Sequence, residues 1–509
     1  MAKINDKALT RKSRVVRSFN EKKNIIDPEQ IEKQNRLMIC AIFAFSTLWA
    51  LANMSVVQRH TGIISLGYLI QNPLILIGTF SFCILIIGLF VGYANWAQEL
   101  LELNVLKWSG LTFLLLLTPF CAALSETLVP DVGLPYIAVA ILLSKFFKPS
   151  FIFFSMTLMM FCVGLFRDYN LGEMLGPLSA ILCVALIRRA GAKRFEEITI
   201  GFLAALTLCF VDVIMQMRTS IQTDENIIHF IFSLGSNAGI YALYFLQGML
   251  SAFVAILLTP LMEKVFDFVS KATLLELGDY NNELLRALLL RAPGTYNHSL
   301  IVATLAEEAA NEIGANALAC RVSAYYHDIG KMIKPDYFTE NELGRNNKHG
   351  ELSPSISALV ITSHPKDGLE LANEYKLPSI IKDAIMMHHG TSKIEYFYHK
   401  ALEIKDENEN IDESIFRYPG PRPNSKETGI IMLADVAEAA TRSLGEPTPA
   451  RIRTMIHSVF QKKIEDHQLD ECPLTMRELH QIEEVFIRMT IAIFHSRIKY
   501  PGQEDNEKK

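Results

Sequence analysis

Seven ionisable side chains in the C-terminal half of this 509-residue chain have the types and the order of a two-metal hydrolytic site. Alternating imidazole and carboxylate groups hold two divalent ions close enough to activate water and to clamp a phosphoryl group. A lone histidine is weak evidence for a ligand, whereas the whole set favours a metal site. The seven residues are His298, His327, Asp328, His364, His388, His389 and Asp435.

The local sequence places most of these side chains at the ends of predicted helices. Gly330 follows the pair His327 and Asp328 and allows the helix to stop there, so that both side chains project from its tip. His364 and the later histidine pair also precede a proline or a glycine, and we expect them to end helices. Asp435 lies on the apolar face of a predicted helix, where an unpartnered carboxylate is costly. A bound metal accounts for its burial.

The composition divides the chain into two halves. It is 50% hydrophobic and 20% charged, with a mean hydropathy of +0.22, which is too apolar for a soluble enzyme of this length. Apolar runs crowd into roughly the first 265 residues, whereas eleven of the thirteen histidines lie beyond them. The eight cysteines form no CxxC pair, which indicates buried thiols rather than disulfides or zinc ligands.

The first half is expected to cross a membrane seven or eight times. Eight spans are preferred, because they place the basic arm 1–36, the basic cluster at 188–194 and the C-terminal half together on the cytoplasmic side. Within the seventh span, Asp212 is expected to have a hydrogen-bonded packing role. The candidate spans are 37–54, 74–95, 107–127, 131–147, 149–166, 172–189, 196–216 and 238–262.

The predicted fold class is all-α, with a polytopic helical membrane domain followed by a cytosolic all-helical domain. Within the second half, the irregular segment 405–426 is expected to be disordered at its acidic start and to form an ordered lid or interface at its aromatic, proline-rich end. The predicted divisions are a basic arm at 1–36, a transmembrane domain at 37–265, a connecting helix at 266–292, a catalytic domain at 293–501 and a disordered tail at 502–509.

The motifs around the seven residues resemble a known family. The order H…HD…D matches the HD-domain phosphohydrolases, and the additional histidines match their two-metal subgroup. The segments GTYNHS, YYHDIGKM, SHPKDG, HHGTS, FRYPGPRP and MLADVAEAATRS make residues 270–501 similar to the seven-transmembrane HD (PgpH-type) cyclic di-AMP phosphodiesterases of bacteria. That family usually has a large extracellular domain after the first span, and residues 55–73 are too few for one.

The resemblance implies a multi-pass protein of the bacterial inner (cytoplasmic) membrane. Its catalytic HD domain would lie in the cytoplasm and hydrolyse cyclic di-AMP to the linear dinucleotide pApA, using two divalent ions that are iron or manganese. His389 is implied as a further ligand or a phosphate contact. The implied ligands are His298, His327, Asp328 and Asp435 for one ion, and Asp328, His364 and His388 for the other.

Two further residues are predicted to act on the substrate. Lys331, three positions after Asp328, is placed to meet a phosphate oxygen or help the leaving group, unless it is a solvated surface lysine. Asp328 and Lys331 are the predicted catalytic residues, and Lys331, His389 and Thr391 are the predicted substrate contacts.

The predicted partners are a cyclic dinucleotide and the lipid bilayer, with no nucleic acid polymer, and a homodimer stays open. Two alternatives remain for the function. One is a phosphodiesterase for another cyclic dinucleotide such as cyclic di-GMP, although no GYP triplet accompanies the HD motifs. The other is a nucleotide-binding membrane receptor with little catalysis.

Overall fold

The regular secondary structure of the computed structural model is helical throughout the ranges that it describes. Outside the helices, these ranges contain one isolated antiparallel bridge, between Lys393 and Arg417. The predicted all-α fold is thus confirmed for this part of the chain. The chain divides into two compact units, Met1–Ala272 and Thr273–Lys509. The described residues are 93, 106–115, 136–167, 171–187, 196–223, 226–342, 348–404 and 411–495.

Apolar helices make up the described part of the first unit. Each predicted apolar segment from 131–147 onward overlaps one of these helices, and α5 is an additional helix between the last two segments. Residues 106–115 are also helical. The bounds are α1 Tyr136–Phe146, α2 Pro149–Arg167, α3 Leu171–Ile187, α4 Glu196–Gln222, α5 Ile227–Ser236 and α6 Ala238–Phe266.

Only α4 and α6, among the described helices, are long and apolar enough to cross a membrane, judged by length and composition. The 11 residues of α1 extend about 16 Å at 1.5 Å per residue, roughly half the thickness of a bilayer core. The predicted polytopic domain is therefore not confirmed. Its first span, 37–54, lies outside the described residues, as does all of 74–95 except Tyr93.

The contact between α4 and α6 combines a close backbone approach with a polar cluster. A Cβ built on Gly201 would lie 2.4 Å from the carbonyl oxygen of Gly248, so that a larger residue would force the helices apart. Further along α4, Gln216 Nε2 donates to Asp212 Oδ2 at 2.5 Å and lies 3.3 Å from Tyr241 Oη on α6. Asp212 thus has the hydrogen bond that its predicted packing role requires.

The segment 266–292, predicted as one connecting helix, is instead broken in two places. After α6, Asp267 has a left-handed φ of 57°, which stops the helix. Two shorter helices follow, α7 (Lys271–Leu277) and α8 (Glu283–Arg291). Between them the carboxylate of Asp279 accepts a backbone hydrogen bond from two residues later, and such local bonds compete with helix formation. Leucine spacing identified the helical pieces but not these breaks.

In the second unit, α9 packs against α10, α15 and α17, and α10 also packs against α13 and α15. The ligands carried by or following α9, α10, α13 and α15 are brought together by this arrangement. The bounds are α9 Pro293–Ile313, α10 Ala317–Tyr326, α11 Pro354–Thr362, α12 His364–Glu374, α13 Ser379–Met387, α14 Glu395–Ile404, α15 Lys426–Arg442, α16 Pro449–Glu465 and α17 Met476–His495.

Local capping signals define several of these helix ends. Gly314, with φ of 72°, terminates α9, and the Asn316 side chain accepts from the backbone of Ala319 to start α10. Ser425 and Thr428 form a reciprocal capping box at the start of α15. Because these signals set where α10 and α15 begin, they also set the positions of the ligands that these helices carry.

Candidate metal centre

The structure brings all seven predicted ligand residues into one buried cluster. Six of them are 0–5% exposed, and the side chain of His389 is 17% exposed. His364 was expected to end a helix, but α11 ends at Thr362 and, after Ser363, His364 is the first residue of α12. The other positions are as predicted: His298 in α9, His327 and Asp328 after α10, His388 and His389 after α13, and Asp435 within α15.

Three side chains face one oxygen of the Asp328 carboxylate or lie beside it; we call them the first ligand group (His298, His327 and Asp435). Asp328 Oδ2 lies 3.3 Å from His327 Nε2 and 3.6 Å from His298 Nε2. His298 Nε2 is also 3.1 Å from Asp435 Oδ1. The donor atoms of this group lie within 4.8 Å of one another, which is close enough to surround one metal ion.

The other oxygen of Asp328 faces the second ligand group (His364, His388 and His389). Asp328 Oδ1 lies 3.1 Å from His364 Nε2 and 3.5 Å from His388 Nε2, and these two nitrogens are 3.2 Å apart. Asp328 and the three histidines offer donor atoms within 4.8 Å of one another. The carboxylate of Asp328 therefore stands between two candidate metal positions, one on each oxygen.

Each inward-facing imidazole is held by its other nitrogen. Nδ1 of His327 lies 2.7 Å from the carbonyl oxygen of Ala324, and Nδ1 of His364 lies 2.7 Å from that of Ile361. Nδ1 of His388 similarly lies 2.9 Å from a carbonyl oxygen in the preceding turn. A carbonyl only accepts, so Nδ1 carries the proton and the Nε2 lone pair points into the cluster, as in histidines that bind metals.

The cluster fits divalent cations on two structural grounds. Nε2 of His327 and Oδ1 of Asp328 are buried without a hydrogen bond, which is costly unless a cation faces them, whereas Oδ2 of Asp328 already has the ammonium of Lys331 2.7 Å away. The donors are a mixture of imidazole nitrogen and carboxylate oxygen, which suits transition metals such as manganese or iron better than magnesium.

Burial and neighbouring charge set the protonation of these groups. Burial alone would raise the pKa of Asp328, but Lys331 and His327 outweigh it and hold this pKa well below its usual range. Burial lowers the pKa of His388 to about 4 and, together with His388, lowers that of His389 well below its usual value. His388 and His389 are therefore neutral at physiological pH and have lone pairs free for ligation.

Lys331 lies inside the cluster rather than on the surface. Its Nζ is 2.7 Å from Asp328 Oδ2 and 2.9 Å from Glu340 Oε1, and its side chain is 12% exposed. Burial opposes the charge, but the carboxylates of Asp328 and Glu340 raise the pKa of Lys331 well above its usual value. The alternative of a solvated surface lysine is therefore wrong. A permanently charged ammonium beside Asp328 is suited to meet an anionic oxygen and unsuited to accept a proton.

Thr391 lies in the turn that follows the second ligand group, and its polar groups have protein partners. Its backbone N–H donates to Gln468 Oε1 at 2.8 Å, and its carbonyl oxygen accepts from Arg417 at 2.9 Å. Its hydroxyl oxygen lies 3.0 Å from Gln468 Nε2. These contacts give Thr391 a role in positioning the turn, and its predicted contact with substrate stays a prediction.

Three residues of the site were missed by sequence reasoning, one of them Glu340, the partner of Lys331. Glu438 Oε2 is 2.6 Å from His298 Nδ1, and the signal for it was its position three residues after Asp435 on the same helix face. The ring of Tyr418 stacks on His389 with centroids 4.1 Å apart, and Tyr418 lies in the aromatic, proline-rich end of 405–426 that was predicted to form an ordered lid or interface. The acidic residues 405–410 lie outside the described part of the chain.

The carboxylates of Glu438 and Asp435 change the pKa of His298. Burial lowers the pKa of His298, but hydrogen bonds to these two carboxylates raise it to about 10. Glu438 is itself held by Arg442, 3.1 Å away. Arg442 and Glu438 therefore fix the orientation of the His298 ring, and a metal ion bound at Nε2 would displace the proton that the two carboxylates favour.

The second unit of the chain is similar to known proteins. Residues 295–440 match the family model named HD domain. "Cyclic-di-AMP phosphodiesterase PgpH" of Bacillus subtilis (strain 168) is 45% identical over 255 residues, or 50% of this chain and 35% of that protein. The protein of the same name from Listeria monocytogenes serotype 1/2a (strain 10403S) is 42% identical over 261 residues, or 51% of this chain and 36% of that protein.

The matches cover about a third of the length of these curated relatives. A crystal structure of the L. monocytogenes phosphodiesterase PgpH HD domain in complex with cyclic-di-AMP is also similar. The sequence identity is 44%, the match covers 42% of this chain and 99% of the chain in the crystal, and the TM-score is 0.41. With the cluster of histidines and aspartates described above, the family match establishes that residues 295–440 are an HD domain.

Proposed function

We propose that the chain is a metal-dependent phosphodiesterase that hydrolyses cyclic di-AMP to pApA. The observation that carries the proposal is the placement of Asp328 between two groups of ligand atoms, at 3.1–3.6 Å from four imidazole nitrogens. The identity of 42–45% to two proteins named cyclic-di-AMP phosphodiesterase supports the substrate. The cleavage opens one of the two phosphodiester bonds of the ring.

Two divalent ions, iron or manganese, are the proposed cofactors. When bound, such ions activate water and neutralise charge that develops on the phosphoryl oxygens. Asp328 is proposed as the shared ligand, with the first ligand group completing one position and the second completing the other. Lys331 is proposed to stay protonated and to donate to a phosphate oxygen, since its ammonium is already aimed into the cluster.

The proposal also includes a location at the membrane. The two helices α4 and α6 support attachment to a bilayer. We propose that the first unit anchors the chain in a bacterial cytoplasmic membrane by several spans and that the HD domain faces the cytoplasm, where cyclic dinucleotides occur. We also propose that residues 293–501 form the catalytic domain.

One assay tests the activity and the base preference together. The purified chain, in detergent and loaded with Mn²⁺, is incubated in parallel with cyclic di-AMP and cyclic di-GMP, and the products are resolved by chromatography. We expect cyclic di-AMP to be cleaved faster than cyclic di-GMP, with pApA as its product. No cleavage of either compound by protein that contains bound metal would favour the receptor alternative. Faster cleavage of cyclic di-GMP would overturn the proposed substrate.

A further inference from the structure

Two basic side chains beside the metal centre lack a carboxylate partner, unlike the cations around them. Lys331 pairs with Asp328 and Glu340, and Arg417 with Glu413 and Asp466. In contrast, Lys463 and Arg422 have no carboxylate oxygen within ion-pair distance among the described residues. Within the described part of the chain, the hydrogen bonds of these two side chains are to hydroxyl groups: Lys463 Nζ lies 2.5 Å from Ser392 Oγ, and Arg422 Nε lies 3.4 Å from Thr391 Oγ1.

Both cations converge on the turn that follows the second ligand group. The turn residues Thr391 and Ser392 come directly after His388, His389 and Gly390 in the chain. Lys463 reaches the turn from the last part of α16, and Arg422 reaches it from the segment before α15. Two elements that are distant in sequence therefore deliver positive charge to the same edge of the metal centre.

The surroundings of Lys463 make its charge available to an anion. Burial lowers the pKa of Lys463 to about 8, and the charges of Asp435 and Asp466 oppose that effect. Asp435 belongs to the first ligand group, so the ammonium lies within electrostatic range of the metal centre. Asp466 is already bound to Arg417 at 3.0 Å. A partly desolvated ammonium without a close carboxylate gains most from a negatively charged ligand.

A cyclic dinucleotide has two phosphates, and the metal centre accounts for one of them. We propose that Lys463 and Arg422 bind the second phosphate, the one that is not cleaved, and so select a ring with two phosphodiesters over a simple phosphodiester. This inference rests on the proposed function. Arginine and lysine are the residues that proteins use for this purpose, because their charge-assisted hydrogen bonds to phosphate are strong.

The position also gives the pair a geometric role. Tyr418, four residues before Arg422, stacks on His389, and its backbone N–H donates to the carbonyl oxygen of Ser392 at 3.0 Å. The segment that carries Arg422 is thus fastened to the turn beside the second ligand group. A phosphate bound there would orient the ring while the other phosphate reaches the ligand cluster.

The test compares two substrates that differ in the number of phosphates. The full chain, in detergent with Mn²⁺, is assayed with cyclic di-AMP and with bis(p-nitrophenyl) phosphate, which has one phosphodiester. We expect Lys463→Met and Arg422→Gln each to raise KM for cyclic di-AMP about 10- to 100-fold, with kcat changed less than about threefold. Turnover of bis(p-nitrophenyl) phosphate should stay at the wild-type rate, which also reports correct folding.

Matched variants separate charge from position. Lys462 is the exposed neighbour of Lys463 on α16, and Lys462→Met should leave KM for both substrates unchanged. Lys463→Arg keeps the charge and should restore most of the affinity for cyclic di-AMP. Equal losses on both substrates would mean that Lys463 only supports the turn through Ser392, and would overturn the inference.

Wild-type kinetic constants in the variants would overturn it as well. If the wild-type chain cleaves cyclic di-AMP and both variants match it, the second-phosphate site fails while the proposed function stands. If the wild-type chain does not cleave cyclic di-AMP at all, the proposed function fails and the inference falls with it.

Discussion

The two ligand groups on either side of Asp328 differ in charge and in anchoring. The first contains a carboxylate of its own, Asp435, and its His298 is held by the carboxylate of Glu438. The second contains imidazoles alone, and its inward-facing rings are held by backbone carbonyls. Since opposite charge strengthens cation binding in a buried site, we expect the first group to bind its metal ion more tightly than the second.

Asp328 is shared by two candidate metal positions that differ in charge. Asp328 gives one oxygen to each group, and no other carboxylate is a member of the second set of donor atoms, although Asp435 of the first group lies 3.4 Å from His389 Nδ1. The first group, with Asp435 in addition, resembles a permanent binding position, and the second resembles a position whose occupancy follows the supply of metal.

Removal of the shared charge should eliminate both positions. In Asp328→Asn the side chain keeps its shape but loses its charge, and we expect turnover of cyclic di-AMP to fall by about 10³-fold or more, because metal centres supply several kcal/mol of transition-state stabilisation. Bound manganese, measured by mass spectrometry, should fall from about two ions per chain to less than one. Asp470→Asn, at an exposed position, serves as the control and should behave as wild type.

Graded removal of metal should reveal the unequal affinities. A titration with a chelator should strip the second group first, so that manganese content pauses near one ion per chain while activity has already been lost. The measurement pairs metal content with turnover at each chelator concentration. A single transition from two ions to none would contradict the difference between the groups.

Glu438 provides a way to weaken the first group alone. Glu438→Gln keeps a hydrogen bond to His298 but removes the negative charge behind it, and loss of such an anchor lowers metal affinity by about 10- to 100-fold. We expect the tighter of the two dissociation constants to rise by this factor and the weaker one to stay unchanged. Glu446→Gln, at an exposed carboxylate, is the matched control. Equal weakening of both sites would show that Glu438 acts on the whole cluster.

Tyr418 offers the smallest and most local perturbation. Tyr418→Ala removes the ring stacked on His389, and such aromatic contacts contribute about 0.5–1.5 kcal/mol, or roughly two- to twelvefold in affinity. We expect the weaker dissociation constant to rise by this amount, whereas Tyr418→Phe, which keeps the ring, should have little effect. A change confined to the tighter site would place the role of Tyr418 elsewhere.

Residue types and helix ends were the parts of the site that could be predicted from the sequence. The pair His327 and Asp328 follows the end of α10 as predicted, and Asp435 lies on the buried face of α15. The role predicted for Gly330 is wrong, because this residue lies inside the 3-10 helix Ile329–Ile333 without a positive φ, and a Cβ there would lie 1.9 Å from the carbonyl oxygen of His364. In contrast, the partners of Lys331 and His298 depend on how helices pack, since Glu340 and Glu438 reach them from other elements. Distances across helices cannot be derived from local spacing.

The fold was predicted well where periodicity decides it and poorly where local side chains compete with the helix. The helices from α8 onward follow the apolar spacing, but Asp267 and Asp279 interrupt the predicted connecting helix at 266–292. In the described part of the first unit, the apolar segments predicted helices correctly. The number of helices that cross the membrane could not be predicted from the same segments, because hydropathy does not distinguish a short buried helix such as α1 from a membrane span.

The central claim is that the carboxylate of Asp328 joins two metal positions. Its most direct test is anomalous diffraction from crystals of the manganese-loaded chain, collected on either side of the manganese absorption edge. We expect two anomalous peaks about 3.5–4 Å apart, one beside each oxygen of Asp328. A single peak, or two peaks of which only one is next to Asp328, would contradict the account.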